Sequence, residues 1–151
     1  MNVLFFGGTG FFGNSLRNYC KTANEKKLIK IKYSGNKETY KNLNKNELIK
    51  PQNLNRIKKN FFNTIIHAAH PSTNRGNLNE NIRYSIGVKN TIKALLLSKN
   101  KKIKNFIYVS SGIVYDNIKV NIDEEEKISE IGNEKNYKNS KIISENICKI
   151  F

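Results

Sequence analysis

A glycine-punctuated turn, Gly7-Gly8-Thr9-Gly10-Phe11-Phe12-Gly13, follows directly on the apolar run Val3-Leu4-Phe5-Phe6. A short apolar run that ends in glycines reads as a buried strand. The residues after it place Phe12, Leu16 and Tyr19 at helical spacing over 11–23. Glycines spaced G-x-x-G-x-x-G between a strand and a helix have three jobs. They make a tight turn, let backbone approach a pyrophosphate, and let the helix pack close to the strand. The helix start adds free N–H groups and the positive end of its dipole. Gly7, Gly10 and Gly13, with Phe11 and Phe12 at the first turn, are therefore the candidate phosphate cradle.

The pattern then alternates. Further strands are expected at Leu28–Tyr33, more weakly at Glu47–Ile49, and at Thr64–His67 and Lys104–Ser110. Helices are expected at Glu38–Leu43, after Pro51 with Leu54, Ile57 and Phe61 in phase, and over Asn77–Ser98. The longest helix would turn Ile82, Ile86, Ile92, Leu95 and Leu96 inward. A polar, acidic loop spans Asp116 to Asn136. A closing helix, Tyr137–Phe151, carries Ile143, Ile147 and Ile150. This order predicts an α/β fold: a Rossmann-like, doubly wound parallel sheet of about five strands with right-handed crossovers. At 151 residues the chain suits one domain, 1–151.

The formal charge of +15 has two readings. One is attraction to an anionic partner, nucleic acid included. The other is a lysine- and asparagine-rich composition spread over solvated faces. Scattered lysines and no RNA-binding signature favour the second and make nucleic acid a poor candidate. Cys20 and Cys148 have no metal-ligand spacing and fit a reducing, cytoplasmic setting. The apolar start is too short for a signal segment or a membrane span. His67 and His70, three apart at a strand end, invite a metal reading. No third ligand stands near them, so His67 reads as structural and no metal is expected.

Two further segments carry chemistry. Ser110-Ser111 ends the fifth strand, where open α/β sheets line their ligand crevice. Tyr137 and Lys141 lie one turn apart on a helix face. An ammonium near a phenol favours the phenolate, which predicts a lowered tyrosine pKa and a proton-transfer group usable near neutral pH.

In the glycine turn, His67-Ala68-Ala69, Gly87 to Asn90, Ser110-Ser111-Gly112-Ile113-Val114-Tyr115 and Tyr137-x-x-Ser140-Lys141-x-x-x-Glu145, the chain resembles the extended short-chain dehydrogenases/reductases. More narrowly it resembles their NAD-dependent epimerase/dehydratase family. The resemblance implies an NAD(P) cofactor and a nucleotide-sugar substrate. It implies Tyr137 as proton acceptor, Lys141 as holder of the phenolate and the nicotinamide ribose, and Ser111 as hydrogen-bond partner of the reacting oxygen. Ala68 and Ala69 would lie against the cofactor. Glu47 stands where the family places an aspartate near the adenine, or is an ordinary solvated residue. Where an acidic residue would hold the ribose, the chain has Ser34 and Lys37, which slightly favours NADP over NAD. Tyr84 replaces the family's supporting asparagine, and His70 an alanine. Gly112 and Ile113 stand where dehydratases carry a carboxylate. Epimerisation through a keto intermediate, or reduction, remains.

Extended members continue into a smaller C-terminal substrate domain. The chain is accordingly expected to be truncated before it, with the edge of strand five open to a homodimer partner or a complementary C-terminal fragment. The alternative is a non-catalytic dinucleotide-binding or nucleic-acid-associated module.

Overall fold

The first apolar run becomes the middle of the sheet. In the computed structural model, β1 (Asn2–Phe6) pairs in parallel with β2 (Lys30–Ser34) and with β4 (Thr64–His67). β3 (Leu48–Ile49) lies outside β2 and β5 (Asn105–Tyr108) outside β4, giving the order β3-β2-β1-β4-β5. The structure describes residues 1–22, 30–34, 47–71, 79–115, 123 and 125–151. The helix expected at 38–43, the strand start at 28–29 and Lys37 lie outside these residues. The contacts fall into two units, Met1–Ala69 with Lys93–Val109, and His70–Ile92 with Ser110–Phe151.

The first unit holds the sheet. Val3, Leu4 and Phe5 are all buried, as a central strand covered on both faces requires. Successive side chains leave a strand on opposite faces. Leu4 accordingly joins Phe62, Ile65, Leu97 and Ile103, while Phe5 joins Tyr33 and Leu16. Leu16 comes from α1 (Phe11–Thr22) and Leu97 from α2 (Glu80–Lys101), so a helix serves each face. Burying each large apolar side chain contributes roughly 2 kcal/mol. Strands one, four and five thus match expectation within a residue or two. The segment after Pro51 is a 3-10 turn, Pro51–Arg56, that brings Leu54 and Ile57 to the core, and Phe61 is left partly exposed.

α2 is phased differently from the apolar pattern. Gly87, Thr91, Ala94, Leu95, Leu97 and Ser98 are its buried positions, and Ile82, Ile92 and Leu96 are exposed. Small residues on the inner face allow close approach, which a count of large apolar residues misses. The helix stops in a Schellman motif. The Lys102 N–H donates to the Lys99 carbonyl (3.1 Å) and the Ile103 N–H to the Ser98 carbonyl (2.9 Å). Lys102 sits in the left-handed region at φ 54°, normally a glycine position. Lys102→Gly is therefore expected to stabilise the chain by about 1 kcal/mol. A urea midpoint that falls instead would show that the lysine side chain outweighs its backbone cost.

The second unit holds a 3-10 turn (Gly112–Val114), an antiparallel bridge between Tyr115 and Ile128, and α3 (Tyr137–Ile150). The Asn136 side chain caps α3 by accepting from the Asn139 N–H at 2.9 Å. The first half of α2 meets α3 through Thr91 and Ser144, whose hydroxyls lie 3.2 Å apart and fully buried. The buried face of α3 is Asn139, Ser140, Lys141, Ile142 and Ser144, and Ile150 is exposed. That buried face is mostly polar, and Ile143 and Ile147 are only half-buried. No helix among the described residues is long and apolar enough to cross a membrane.

Charge is divided unevenly along the sequence. The ranges of the first unit contain only three carboxylates, Glu25, Glu38 and Glu47, so the excess of cations falls there. In the second unit, acidic and basic residues balance.

Candidate functional site

The candidate phosphate cradle lies in the first unit. Strand register sets Ile49, Ser34, Phe6, His67 and Tyr108 side by side across the sheet. The next residue on β1 is Gly7 and on β4 is Ala68, so both stand just past the carboxyl ends of the strands. Gly7 has φ 90°, and a Cβ there would lie 2.5 Å from the carbonyl carbon and oxygen of Ala68 and 2.7 Å from the Ala69 nitrogen. The two alanines press their backbone on the glycine turn itself. The Gly10 N–H donates to the Gly7 carbonyl at 3.1 Å and closes the turn. A Cβ on Gly13 would lie 2.5 Å from the Gly7 oxygen and the Gly8 Cα, so the first turn of α1 rests directly on the loop. Phe11 is almost fully exposed and Phe12 is partly so, leaving the helix start open.

Ser34 stands at the carboxyl edge as expected. Glu47 does not, because it precedes β3 and lies two residues short of that edge. The residue that reaches the edge after β3 is Lys50, an exposed cation that alignment on Pro51 passed over. His67 is buried among the rings of Phe6, Phe106 and Tyr108, the surroundings of a structural histidine.

The second unit gathers the candidate proton-transfer residues Ser111, Tyr137 and Lys141. Ser111 caps the 3-10 turn, accepting from the Ile113 N–H at 3.5 Å, and its hydroxyl hydrogen-bonds the Tyr137 phenol. Tyr137 opens α3, where the Ser140 hydroxyl donates to its carbonyl at 2.6 Å. The Lys141 Nζ stands 5.7 Å from the centre of the Tyr137 ring, and Lys141 is only 3% exposed. Burial pushes the Lys141 ammonium down to about 8, against the pull of the Glu145 carboxylate, which raises it. Glu145 also accepts a hydrogen bond from the Ser110 hydroxyl.

The expected lowering of the tyrosine pKa is not found. Burial raises the Tyr137 phenol above its ordinary value, and the Ser111 hydrogen bond offsets this only in part. An ammonium has its strongest effect beside the charged oxygen. Here Lys141 lies over the ring, with its Nζ 5.7 Å from the ring centre.

Two residues have roles that their sequence positions do not announce. Asn139, buried, donates to the carbonyls of Gly132 (3.0 Å) and Glu134 (2.6 Å), tying that turn to the start of α3. His70 packs on Tyr137. Asparagine in a first helical turn signals capping, but nothing in the sequence marks which loop it would hold.

A model of the NAD dependent epimerase/dehydratase family matches residues 3–151. The chain belongs to this family. Solved structures with similar folds include ADP-L-glycero-D-manno-heptose-6-epimerase of Helicobacter pylori, at 24% identity and TM-score 0.72, covering 99% of this chain and 50% of that one. A UDP-Glc/GlcNAc 4-epimerase from Campylobacter jejuni follows at 20% identity and TM-score 0.73, covering 99% and 48%. A dTDP-glucose 4,6-dehydratase from Streptomyces venezuelae, with NAD and TYD bound, shares 17% identity at TM-score 0.74, covering 99% and 51%. The chain thus spans about half the length of these epimerase/dehydratase structures. No curated protein matches it in sequence.

Proposed function

We propose that the chain binds a nicotinamide dinucleotide at its glycine turn and supports oxidation and reduction at a hydroxyl of a nucleotide-sugar, as an epimerase or a reductase. The observation that carries this reading is the grouping of Ser111, Tyr137 and Lys141 on one unit. Family membership and the open helix start beyond Gly7, Gly10 and Gly13 support it. The excess of cations in the ranges of the first unit also suits a polyanionic ligand. Ligands named in the similar structures, NAD in one and a nucleotide-sugar in another, point the same way.

When bound, the nicotinamide supplies the hydride acceptor or donor. The chain's own groups manage the proton. As an alcohol becomes a ketone, its carbon loses hydride and its oxygen loses a proton to the Tyr137 oxygen. In the reverse step the phenol returns that proton. A phenol whose pKa is raised holds its proton at neutral pH, so Tyr137 is poised for the reducing step. The oxidising step should accelerate as pH rises. Ser111 hydrogen-bonds the oxygen that changes between hydroxyl and carbonyl, and Lys141 adds positive charge beside the phenol. Gly112 and Ile113 offer no second proton-transfer group, which sets dehydration apart.

Tyr137→Phe tests this. Turnover should fall by roughly 10²–10⁴-fold while dinucleotide affinity changes little. Unchanged turnover would remove Tyr137 from the reaction. Ser34 and the cations Lys37 and Lys50 favour NADP over NAD. Direct titration with both cofactors checks this, and clearly tighter NAD binding would reverse the preference.

A further inference from the structure

We propose that His70 is a positioning residue for Tyr137, seated in a hollow that α2 leaves open by carrying Gly87. The inference rests on the reading of Tyr137 as the proton-transfer group. Three elements meet here: the segment after β4, the first half of α2, and the first turn of α3. The imidazole of His70 meets the phenol ring edge to face, with centroids 5.6 Å apart and planes at 86°. That is a favoured aromatic arrangement. On the other side the imidazole occupies the space of a side chain at 87. A Cβ built on Gly87 falls on the Cε1 of His70 and lies 2.5 Å from Nε2 and 2.6 Å from Nδ1.

Glycine inside a helix weakens it relative to alanine. Gly87 is buried in the middle of α2, away from either end, so no cap or turn explains it. The His70 ring does. It fills the hollow and becomes a wall for the phenol.

A wall of this kind has two effects on Tyr137. It limits rotation of the ring, which keeps the phenol oxygen toward Ser111 and Lys141. It also keeps water off one side of the ring, and burial is the main cause of the raised phenol pKa. The other groups near the phenol are the Ser111 hydroxyl and the Lys141 ammonium, with Glu145 acting on Lys141.

The test reads Tyr137 directly in the 151-residue chain. Tyrosine labelled with ¹³C at Cζ reports phenol ionisation by NMR, and Tyr137→Phe assigns the resonance. In His70→Ala the phenol pKa should fall toward its ordinary value. His70→Phe, which keeps a ring in the hollow, should stay within a few tenths of the parent. Gly87→Ala, which displaces the imidazole, should shift the Tyr137 titration in the parent and add nothing in the His70→Ala background. Equal shifts from Gly87→Ala in both backgrounds would overturn the proposal. So would an unchanged Tyr137 titration in His70→Ala that keeps its circular dichroism. Should His70→Ala unfold, His70→Leu carries the same comparison. Turnover does not enter this readout. A catalytically dispensable Tyr137 would leave the coupling intact, and a failed coupling would leave the proton-transfer role standing.

Discussion

Gly13→Ala is expected to destabilise the chain by about 2–3 kcal/mol and to abolish measurable dinucleotide binding. The added methyl would meet the Gly7 oxygen and the Gly8 Cα at 2.5 Å. Both are backbone atoms of the glycine turn, so no side chain can swing aside. Either α1 lifts from the loop or the loop opens, and each outcome dismantles the cradle. Neighbouring glycines make the comparison specific. At Gly10 a Cβ meets only the Gly7 oxygen, at 3.4 Å, and at Gly112 nothing lies within 4 Å. Gly112→Ala should therefore stay within about 0.5 kcal/mol of the parent. Urea unfolding followed by circular dichroism, with a cofactor titration on the same samples, measures both effects. A Gly13→Ala chain with parental stability and affinity would show that the turn has room for a methyl group.

Glu145→Ala is expected to cost about 2–3 kcal/mol and to lower the Lys141 pKa further below 8. The carboxylate serves two partners, accepting from the Ser110 hydroxyl and supporting the buried Lys141 ammonium. Its loss leaves Ser110 without this acceptor and Lys141 without this counter-charge. The sign of the pH effect follows from Lys141. Its pKa falls from 10.5 unfolded to about 8 folded, so the unfolded chain binds more protons between those values. Stability from this group is then lowest below pH 8 and recovers as pH rises toward 10.5, by about 1 kcal/mol between pH 8 and 9. Cys148 acts oppositely, because burial pushes its thiol up to about 11 and stability is lost as pH climbs from 9 to 11. Comparing the parent with Lys141→Met cancels the thiol and leaves the lysine. The rise between pH 8 and 9 should be absent from the Lys141→Met chain. Equal slopes in the two proteins would mean that Lys141 is charged and solvated after all.

Backbone-driven features are legible in the residues alone. A glycine turn after an apolar run admits few conformations, and the alternation behind it leaves a parallel sheet as the economical way to bury its strands. The positions of Ser111, Tyr137 and Lys141 can be read because motif spacing fixes them along the chain. Three things are not legible. Ile82, Ile92 and Leu96 are as apolar as Leu95, yet α2 turns Gly87, Thr91, Ala94 and Ser98 inward, since small residues decide how close helices come. Glu47 matches by distance to Pro51, but a two-residue strand moves the sheet edge onto Lys50. The Tyr137 pKa goes up because burial, a property of the folded chain, outweighs a neighbour at helical spacing.

The strand order also sets the sequence of events in synthesis. β1, at the centre, leaves the ribosome first but can complete neither side alone. Its first neighbour is finished at Ser34, its second at His67, and β5 joins only at Tyr108. Each pairing closes a loop of tens of residues before any hydrogen bond forms, which places folding in the slower range for its size. Until His67 has emerged, one edge of the most apolar strand is bare. The interval between β1 and β4 is therefore when this chain most needs a chaperone, and slowing translation before residue 64 should raise its aggregation more than slowing it after residue 108.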